Sequence, residues 1–193
     1  LGYTYSWLPG GQTTSSIAAQ CAGNYTIIVT DNKGCSNTQT RTLAAPFTLA
    51  ANASVVKNVS CSGLCDGSAT AVPSGGTAPF TYLWPGGVTT QTITGLCANP
   101  SLSVTVTDAN GCTDVDILVI TQPNILSSSI ASTTSSCILC NGTAAVSTSG
   151  GTSPYTYLWI SGGQTTSATA GLCVGNYTVS VAAANGCTNS LIA

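Results

Sequence analysis

Ser74-Gly-Gly-Thr-Ala-Pro-Phe-Thr-Tyr-Leu-Trp84 is the stretch that decides the fold of this 193-residue chain. Phe80, Tyr82 and Trp84 stand at alternate positions, so their rings share one face of an extended strand. The Gly-Gly pair and the proline mark a turn before that strand. The same order of turn and aromatic strand returns at residues 149–159, and the aromatic alternation returns at residues 3–7. The pattern predicts a β-strand whose Trp belongs to a core rather than to a ligand platform.

The cysteines repeat in phase with this strand. Cys21, Cys97 and Cys173 are spaced 76 residues apart each time. A fixed period of this length indicates one small folded unit used in tandem. We therefore expect an incomplete copy at residues 1–46, a complete copy at 47–122 and a nearly complete copy at 123–193. We call these the first, middle and third copies.

Each complete copy contains six or seven short β-branched segments with turn signals between them. Leu102, Val104 and Val106 alternate with hydroxyl residues, and Asn110-Gly111 is a strong signal for a tight turn between strands. These features predict an all-β chain of tandem immunoglobulin-like antiparallel β-sandwiches. The first copy begins at the Trp strand and lacks the two strands that precede it in the other copies. Either the chain continues as a longer tandem array, or a neighbouring molecule supplies these strands by strand complementation.

Composition excludes several classes of function. Charged residues make up 4% of the chain, with three cations and no histidine. Three scattered cations cannot form a nucleic-acid-binding face. Without histidine or glutamate the chain lacks Ser-His-Asp machinery and an evident carboxylate pair for glycoside hydrolysis, so we expect no enzyme, no catalytic residues and no cofactor. Asp114 and Asp116 share a strand face and could hold a cation weakly, but we expect a solvated edge pair and no metal site.

Ten cysteines in so weakly charged a chain favour disulfides in an oxidising, extracellular compartment. Zinc coordination by four thiolates is the alternative, because Cys137 and Cys140 have Cys-x-x-Cys spacing, but Cys61 and Cys65 are spaced differently. The apolar runs are too short to span a membrane, and no signal peptide is recognisable within the sequence.

Several motifs together resemble a known repeat. Cys61-Ser-Gly-Leu-Cys-Asp-Gly, Ser74–Trp84, Thr94-Gly-Leu-Cys97 and Val106-Thr-Asp-Ala-Asn-Gly-Cys112 resemble the SprB-type repeat of bacterial gliding-motility surface adhesins. The third copy repeats this motif order through Cys137-Ile-Leu-Cys-Asn-Gly142 and Asn185-Gly-Cys187. The resemblance implies secretion, tandem arrays, an adhesive or filamentous role and no enzyme activity. Ala183 replaces the aspartate found at positions 31 and 108, so a calcium role for that residue is doubtful in the third copy.

Cys97 and Cys112 flank one strand and should lie too far apart to bond with each other. The resemblance implies Cys61–Cys112 in the middle copy, which leaves Cys65–Cys97 as an additional bridge. By analogy it implies Cys137–Cys187 and Cys140–Cys173 in the third copy. This scheme leaves Cys21 and Cys35 unpaired, or paired outside the chain. A rival scheme links one cysteine of each pair across the junction between copies, which would stiffen a fibre.

Glycans would explain solubility with so little charge. The motif Asn-x-Ser/Thr occurs five times, at Asn24, Asn52, Asn58, Asn141 and Asn176. The serine runs at 127–129 and 132–136 are equally good candidates for O-linked sugar.

The sequence therefore predicts a structural or adhesive segment of an extracellular bacterial surface filament, whose partner is the chain itself as a homopolymer or a continuing tandem array. The alternative is an array of carbohydrate-binding modules on a cell-surface adhesin. A non-catalytic spacer on a secreted enzyme is a third reading. Aromatic residues at repeated core positions favour the filament over the sugar-binding array.

Overall fold

The computed structural model describes residues 2–44, 48–135 and 139–193. These residues form fifteen strands and one turn of 3-10 helix at Pro85–Gly87. The predicted all-β fold of tandem, disulfide-stapled, immunoglobulin-like antiparallel sandwiches is confirmed. Within these ranges the chain contains no apolar helix of membrane-spanning length. The junction at Ala45-Pro46 and the residue Cys137 lie outside the described residues.

The first copy forms one antiparallel sheet of three strands. These strands are β1 (Thr4–Leu8), β2 (Gly23–Thr30) and β3 (Ser36–Leu43), in the order β1-β2-β3. Trp7 on β1 lies opposite Ile27 on β2. Both residues are only half-buried, because the described part of the chain supplies this copy with no second sheet.

The middle copy has two sheets of three strands. One contains β4 (Ala53–Lys57), β5 (Gly67–Ala71) and β7 (Thr92–Leu96) in the order β4-β5-β7. The other contains β6 (Thr81–Leu83), β8 (Asn99–Thr107) and β9 (Thr113–Ile120) in the order β6-β8-β9. Burial alternates along β8, where Leu102, Val104 and Val106 are 2% exposed or less. This alternation is the pattern of a strand with one face in a core.

The third copy repeats the two-sheet arrangement. Strands β10 (Ser127–Thr133), β11 (Gly142–Ser149) and β13 (Ala168–Leu172) form one sheet in the order β10-β11-β13. Strands β12 (Tyr155–Trp159), β14 (Thr178–Ala183) and β15 (Thr188–Ile192) form the other, in the order β12-β14-β15. Its core contains Ala144, Val146, Trp159, Val179 and Val181. Full burial of each large apolar side chain stabilises the fold by about 1.5–3 kcal/mol.

The tryptophans are core residues in the two complete copies. Trp84 is 2% exposed and Trp159 is 1% exposed. Each indole N–H still has a partner, since Trp84 Nε1 donates to the carbonyl of Thr90 at 2.9 Å and Trp159 Nε1 to that of Thr166 at 3.0 Å. Trp7 Nε1 makes the equivalent bond to Thr14 at 2.9 Å. A buried indole without such an acceptor would be costly, so this bond explains why the ring fits a closed core.

The described residues gather into two compact units that cut through the middle copy. The first unit contains residues 1–54, 69–93 and 101–118, and the second contains 55–68, 94–100 and 119–193. Each unit therefore joins part of the middle copy to one flanking copy. The division of the chain into domains at 46/47 and 122/123 stays a prediction.

Candidate functional site: the disulfide junctions between copies

Two disulfides link different copies of the repeat. Cys21 of the first copy bonds Cys112 of the middle copy, and Cys61 of the middle copy bonds Cys187 of the third. The Cα atoms are 5.6 Å apart in both bridges. Within the described residues, each copy is thus joined to the next by a disulfide as well as by the peptide backbone.

Two further disulfides lie within single copies. Cys65 bonds Cys97 and Cys140 bonds Cys173, the two pairs that the sequence scheme had left over within single copies. Their sequence separations are 32 and 33 residues. Closing a loop of this size restricts the unfolded chain by about 3.7 kcal/mol in the loop-entropy model. These bridges compensate for the small core of a 75-residue sandwich.

The other implied pairings are corrected. Cys61 does not bond Cys112, Cys187 does not bond Cys137, and Cys21 has a partner within the chain. The reason lies in strand β9. Cys112 directly precedes its first residue, whereas the N–H of Val59, next to the Cys61 loop, bonds the carbonyl of Thr121 just beyond its last. Eight extended residues separate these positions by about 26 Å, far beyond disulfide reach.

The loop that presents Cys61 is ordered by Asp66. This carboxylate accepts hydrogen bonds from Lys57 Nζ at 2.7 Å, from the Ser60 hydroxyl at 2.6 Å and from the Ser60 backbone N–H at 2.9 Å. The pKa of Asp66 lies well below its ordinary value, chiefly because of the Lys57 hydrogen bond and then because of the two from Ser60. The neighbouring carbonyl of Ser60 accepts a hydrogen bond from the side-chain amide of Asn185, two residues before Cys187. Asp66 therefore fixes the segment that carries Cys61 to its partner.

The cysteines on the other side of each bridge sit in a tight turn. In the middle copy Asp108 shapes this turn. It is 7% exposed, and its carboxylate accepts from the N–H groups of Cys112 and Asn110, both at 2.9 Å, and of Thr77 at 3.0 Å. Burial is the largest single influence on this group and opposes its ionisation, but the three N–H donors together outweigh it and lower the pKa. The carboxylate of Asp108 thus accepts its hydrogen bonds from backbone N–H groups, two of which belong to the turn that positions Cys112.

Asp31 plays the same part in the first copy. Its Oδ1 accepts from the N–H of Lys33 at 2.9 Å and of Cys35 at 2.8 Å. In the third copy Ala183 occupies the position, and the turn keeps its backbone hydrogen bonds without a carboxylate. The aspartate is therefore a turn residue in this chain, and its side-chain contacts offer no support for a calcium role.

Asp114 and Asp116 do not form a solvated pair. Asp114 Oδ2 accepts from the N–H of Ala51 and Asp116 Oδ2 from that of Ala53, both at 2.8 Å. Both carboxylates thus fasten strand β9 to the segment that leads into β4, and our expectation of a solvated edge pair was wrong. The signal available in the sequence was their spacing of two, which matches the spacing of Ala51 and Ala53 along an extended partner. Within the described residues no group of three or more His, Cys, Asp or Glu side chains could hold a metal ion.

The five candidate N-glycosylation residues are all exposed. Asn24, Asn52 and Asn58 also take part in hydrogen bonds, with Thr42, Ser74 and the N–H of Thr121 respectively. Asn176 lies in the exposed segment before β14. Their exposure is compatible with modification.

Comparison with known proteins identifies the repeat. Residues 53–89 and 132–164 match the family model of the SprB repeat. The middle and third copies therefore each contain a segment that matches the SprB repeat, and the resemblance drawn from the sequence is confirmed at these segments. Together with the disulfides, the match supports an extracellular repeat segment of adhesin type. No curated protein matches the chain.

Two solved structures overlap the chain weakly. One is the SGBP-B protein of the Bacteroides ovatus mixed-linkage glucan utilization locus, in complex with a mixed-linkage heptasaccharide. It is 15% identical over 98% of this chain and 59% of its own, with a TM-score of 0.25. The other contains extracellular cadherin domains 1–4 of protocadherin gamma B7, 13% identical over 100% of this chain and 66% of its own, also with a TM-score of 0.25. The chain spans less than two thirds of either protein, and overlaps this weak carry no argument about function.

Proposed function

We propose that the chain is a structural and adhesive segment of an extracellular bacterial surface filament built from tandem repeats. The observation that carries this proposal is the pair of disulfides that link consecutive copies, Cys21–Cys112 and Cys61–Cys187. An enzyme or a soluble binding module gains little from such bridges. A fibre under tension gains a covalent route for the load.

Three of the four bridges together form this route. From residue 1 the load can follow the backbone to Cys21 and cross to Cys112. It then runs back along the chain to Cys97, crosses to Cys65, continues to Cys61 and crosses to Cys187. Only about 45 residues of backbone lie on this path, which can extend by at most about 3.6 Å per residue. Most of the chain is therefore shielded from a pull on its ends.

Low charge supports assembly of the chain with itself. With 4% charged residues and a formal net charge of −2, electrostatic repulsion between copies is weak. The surface is instead rich in hydroxyl and amide groups, which suit short-range adhesion. Glycans on the exposed asparagine or serine residues would add solubility, and an intact mass equal to that of the polypeptide would remove this part of the proposal.

The first copy forms a single open sheet, which favours another domain of the same repeat as the partner of this chain. Trp84, in the middle copy with its second sheet β4-β5-β7, is 2% exposed, whereas Trp7, in a copy with one sheet, is half-exposed. Residues 15–20 correspond to β7 but form no strand, because β7 pairs with β5 and the first copy has no such neighbour. A cavity of about 470 Å³ lies here, lined among others by Trp7, Ile17 and Tyr25. The occupant that fits is a β4–β5-type strand pair from another repeat.

Electron microscopy of the native material tests the filament role. We expect ordered fibres whose axial repeat is near a multiple of one domain length, and we expect them to shorten or fragment under a reducing agent. Isolated, beaded monomers in native material would contradict the proposal. Fibres that are unaffected by complete reduction would show that the cross-copy bridges are not what holds them together.

A further inference from the structure

We propose that Cys35 is a covalent attachment site for another repeat domain. Its partner is the cysteine that follows the first strand of that domain, the position held by Cys61 in the middle copy. This inference rests on the proposed filament role only for the identity of the partner, which is a domain of the same repeat.

Cys35 is held by the same turn as the two cysteines that already bond across copies. The N–H of Asp31 donates to the carbonyl of Cys35 at 2.9 Å, that of Asp108 to Cys112 at 2.9 Å, and that of Ala183 to Cys187 at 2.8 Å. In each turn the glycine before the cysteine donates back to the first residue, at 3.1, 3.0 and 2.9 Å. Three copies therefore present a thiol with one backbone geometry.

Two of these three positions are occupied. Cys112 and Cys187 each bond a cysteine of the preceding copy, with Cα atoms 5.6 Å apart. Cys35 is exposed, with a free thiol. This turn holds a cysteine of a neighbouring copy in both occupied positions, Cys21 at Cys112 and Cys61 at Cys187, so its third occurrence is a preformed receptor for such a cysteine.

The occupied junction at Cys187 shows the chemistry of the partner. Cys61 arrives on an extended segment whose Ser60 carbonyl accepts a hydrogen bond from Asn185. Lys33 stands at the Asn185 position in the first copy, and its ammonium group can donate to the same carbonyl. The partner segment therefore needs a cysteine preceded by an accepting carbonyl, as in Asn58-Val-Ser-Cys61.

The bond forms by oxidation of two thiols with a low-molecular-weight disulfide such as oxidised glutathione. A new S–S bond joins Cys35 Sγ to the partner's Sγ in two successive exchanges. The two thiols lose two protons and two electrons in total, and the S–S bond of one glutathione disulfide is reduced to two thiols.

The test uses the full chain and a peptide with the sequence of residues 53–66, in which Cys65 is replaced by Ser. The mixture equilibrates in a glutathione redox buffer, and mass spectrometry maps the peptide's attachment point. We expect the peptide to couple to Cys35 at least about tenfold more than a scrambled peptide of the same composition, because the turn recognises the segment as well as the thiol. The variant Cys35→Ser should lose the coupling.

A thiol moved to another exposed position distinguishes recognition of the peptide by the turn from simple exposure of the thiol. The variant Cys35→Ser, Thr38→Cys keeps one exposed thiol in the first copy, three residues along β3, and should couple the two peptides equally. Equal coupling of the two peptides at Cys35 itself would overturn the proposal, and so would failure of the native peptide to couple there. Neither result bears on the Cys21–Cys112 and Cys61–Cys187 bridges that support the filament role, and a pull on the single chain tests those bridges separately.

Discussion

A pull on the two ends of the single chain measures how its disulfides are connected. The oxidised chain should extend to about 180 Å, because its shortest covalent path contains about 45 residues at up to 3.6 Å each, plus three bridges. After complete reduction the same chain should reach about 690 Å. The gap is far larger than the resolution of single-molecule force spectroscopy, which is the assay.

The same measurement distinguishes the rival pairings. If Cys61 bonded Cys112 and Cys137 bonded Cys187, the shortest path would contain about 91 residues and the limit would be about 340 Å. Replacing by Ser the four cysteines of the cross-copy bridges should leave about 127 residues and a limit of about 460 Å. This variant is the control, since it retains Cys65–Cys97 and Cys140–Cys173. An oxidised wild-type limit near 340 Å would refute the connectivity and the load path derived from it.

Five further substitutions test the fold and its junctions. Gly171 has φ +74° with no atom closer than 3.9 Å to an added Cβ, so Gly171→Ala should cost about 1–2 kcal/mol from backbone strain alone. Conversely, Ala19→Gly should stabilise the chain, because Ala19 has φ 53° at the position that Gly171 holds in the third copy. Denaturant titration measures the unfolding free energy of both variants. Trp159→Phe should cost about 1–3 kcal/mol, because it removes the hydrogen bond from Nε1 to the Thr166 carbonyl and leaves a void in the core. Trp7→Phe should cost less, because Trp7 is only half-buried. A Trp159 variant as stable as the Trp7 variant would contradict the core assignment. Because the pKa of Asp66 is lowered in the folded chain, the ionised carboxylate stabilises the fold fully above the ordinary Asp pKa, and this stabilisation is lost as the pH falls below about 4. The difference in unfolding free energy between wild type and Asp66→Asn should therefore narrow from pH 5 to pH 2. Denaturant midpoints measure this difference. A gap that does not change with pH would show that the Asp66 hydrogen bonds do not form.

The architecture could be predicted because its signals are local. Alternating aromatic residues at 80–84 place one face of a strand in a core whatever the rest of the chain does, and the structure buries Trp84 accordingly. The Cys65–Cys97 and Cys140–Cys173 pairs were those that remained once the resemblance had assigned the other cysteines, and they form although those other assignments were wrong.

The carboxylates were harder to assign. The spacing of Asp114 and Asp116 shows that they share a face, but their partners are backbone N–H groups 63 residues away in sequence. Backbone donors carry no sequence signature, so only the folded chain reveals that these groups fasten β9. The Asp66 cluster has the same origin, since Ser60 contributes its backbone as well as its hydroxyl.

The sequence by itself determined the repeat, the β-strands, the tryptophan core and the capacity for disulfides, because each depends on residues within one copy. Only the tertiary structure decided which cysteines meet. In a tandem repeat, equivalent cysteines have nearly identical surroundings, so spacing cannot tell a partner in the same copy from one in the next. The eight residues of β9 settle this choice, because Cys112 precedes this strand whereas the segment that leads to Cys61 pairs just beyond its last residue, and each cysteine bonds a neighbouring copy.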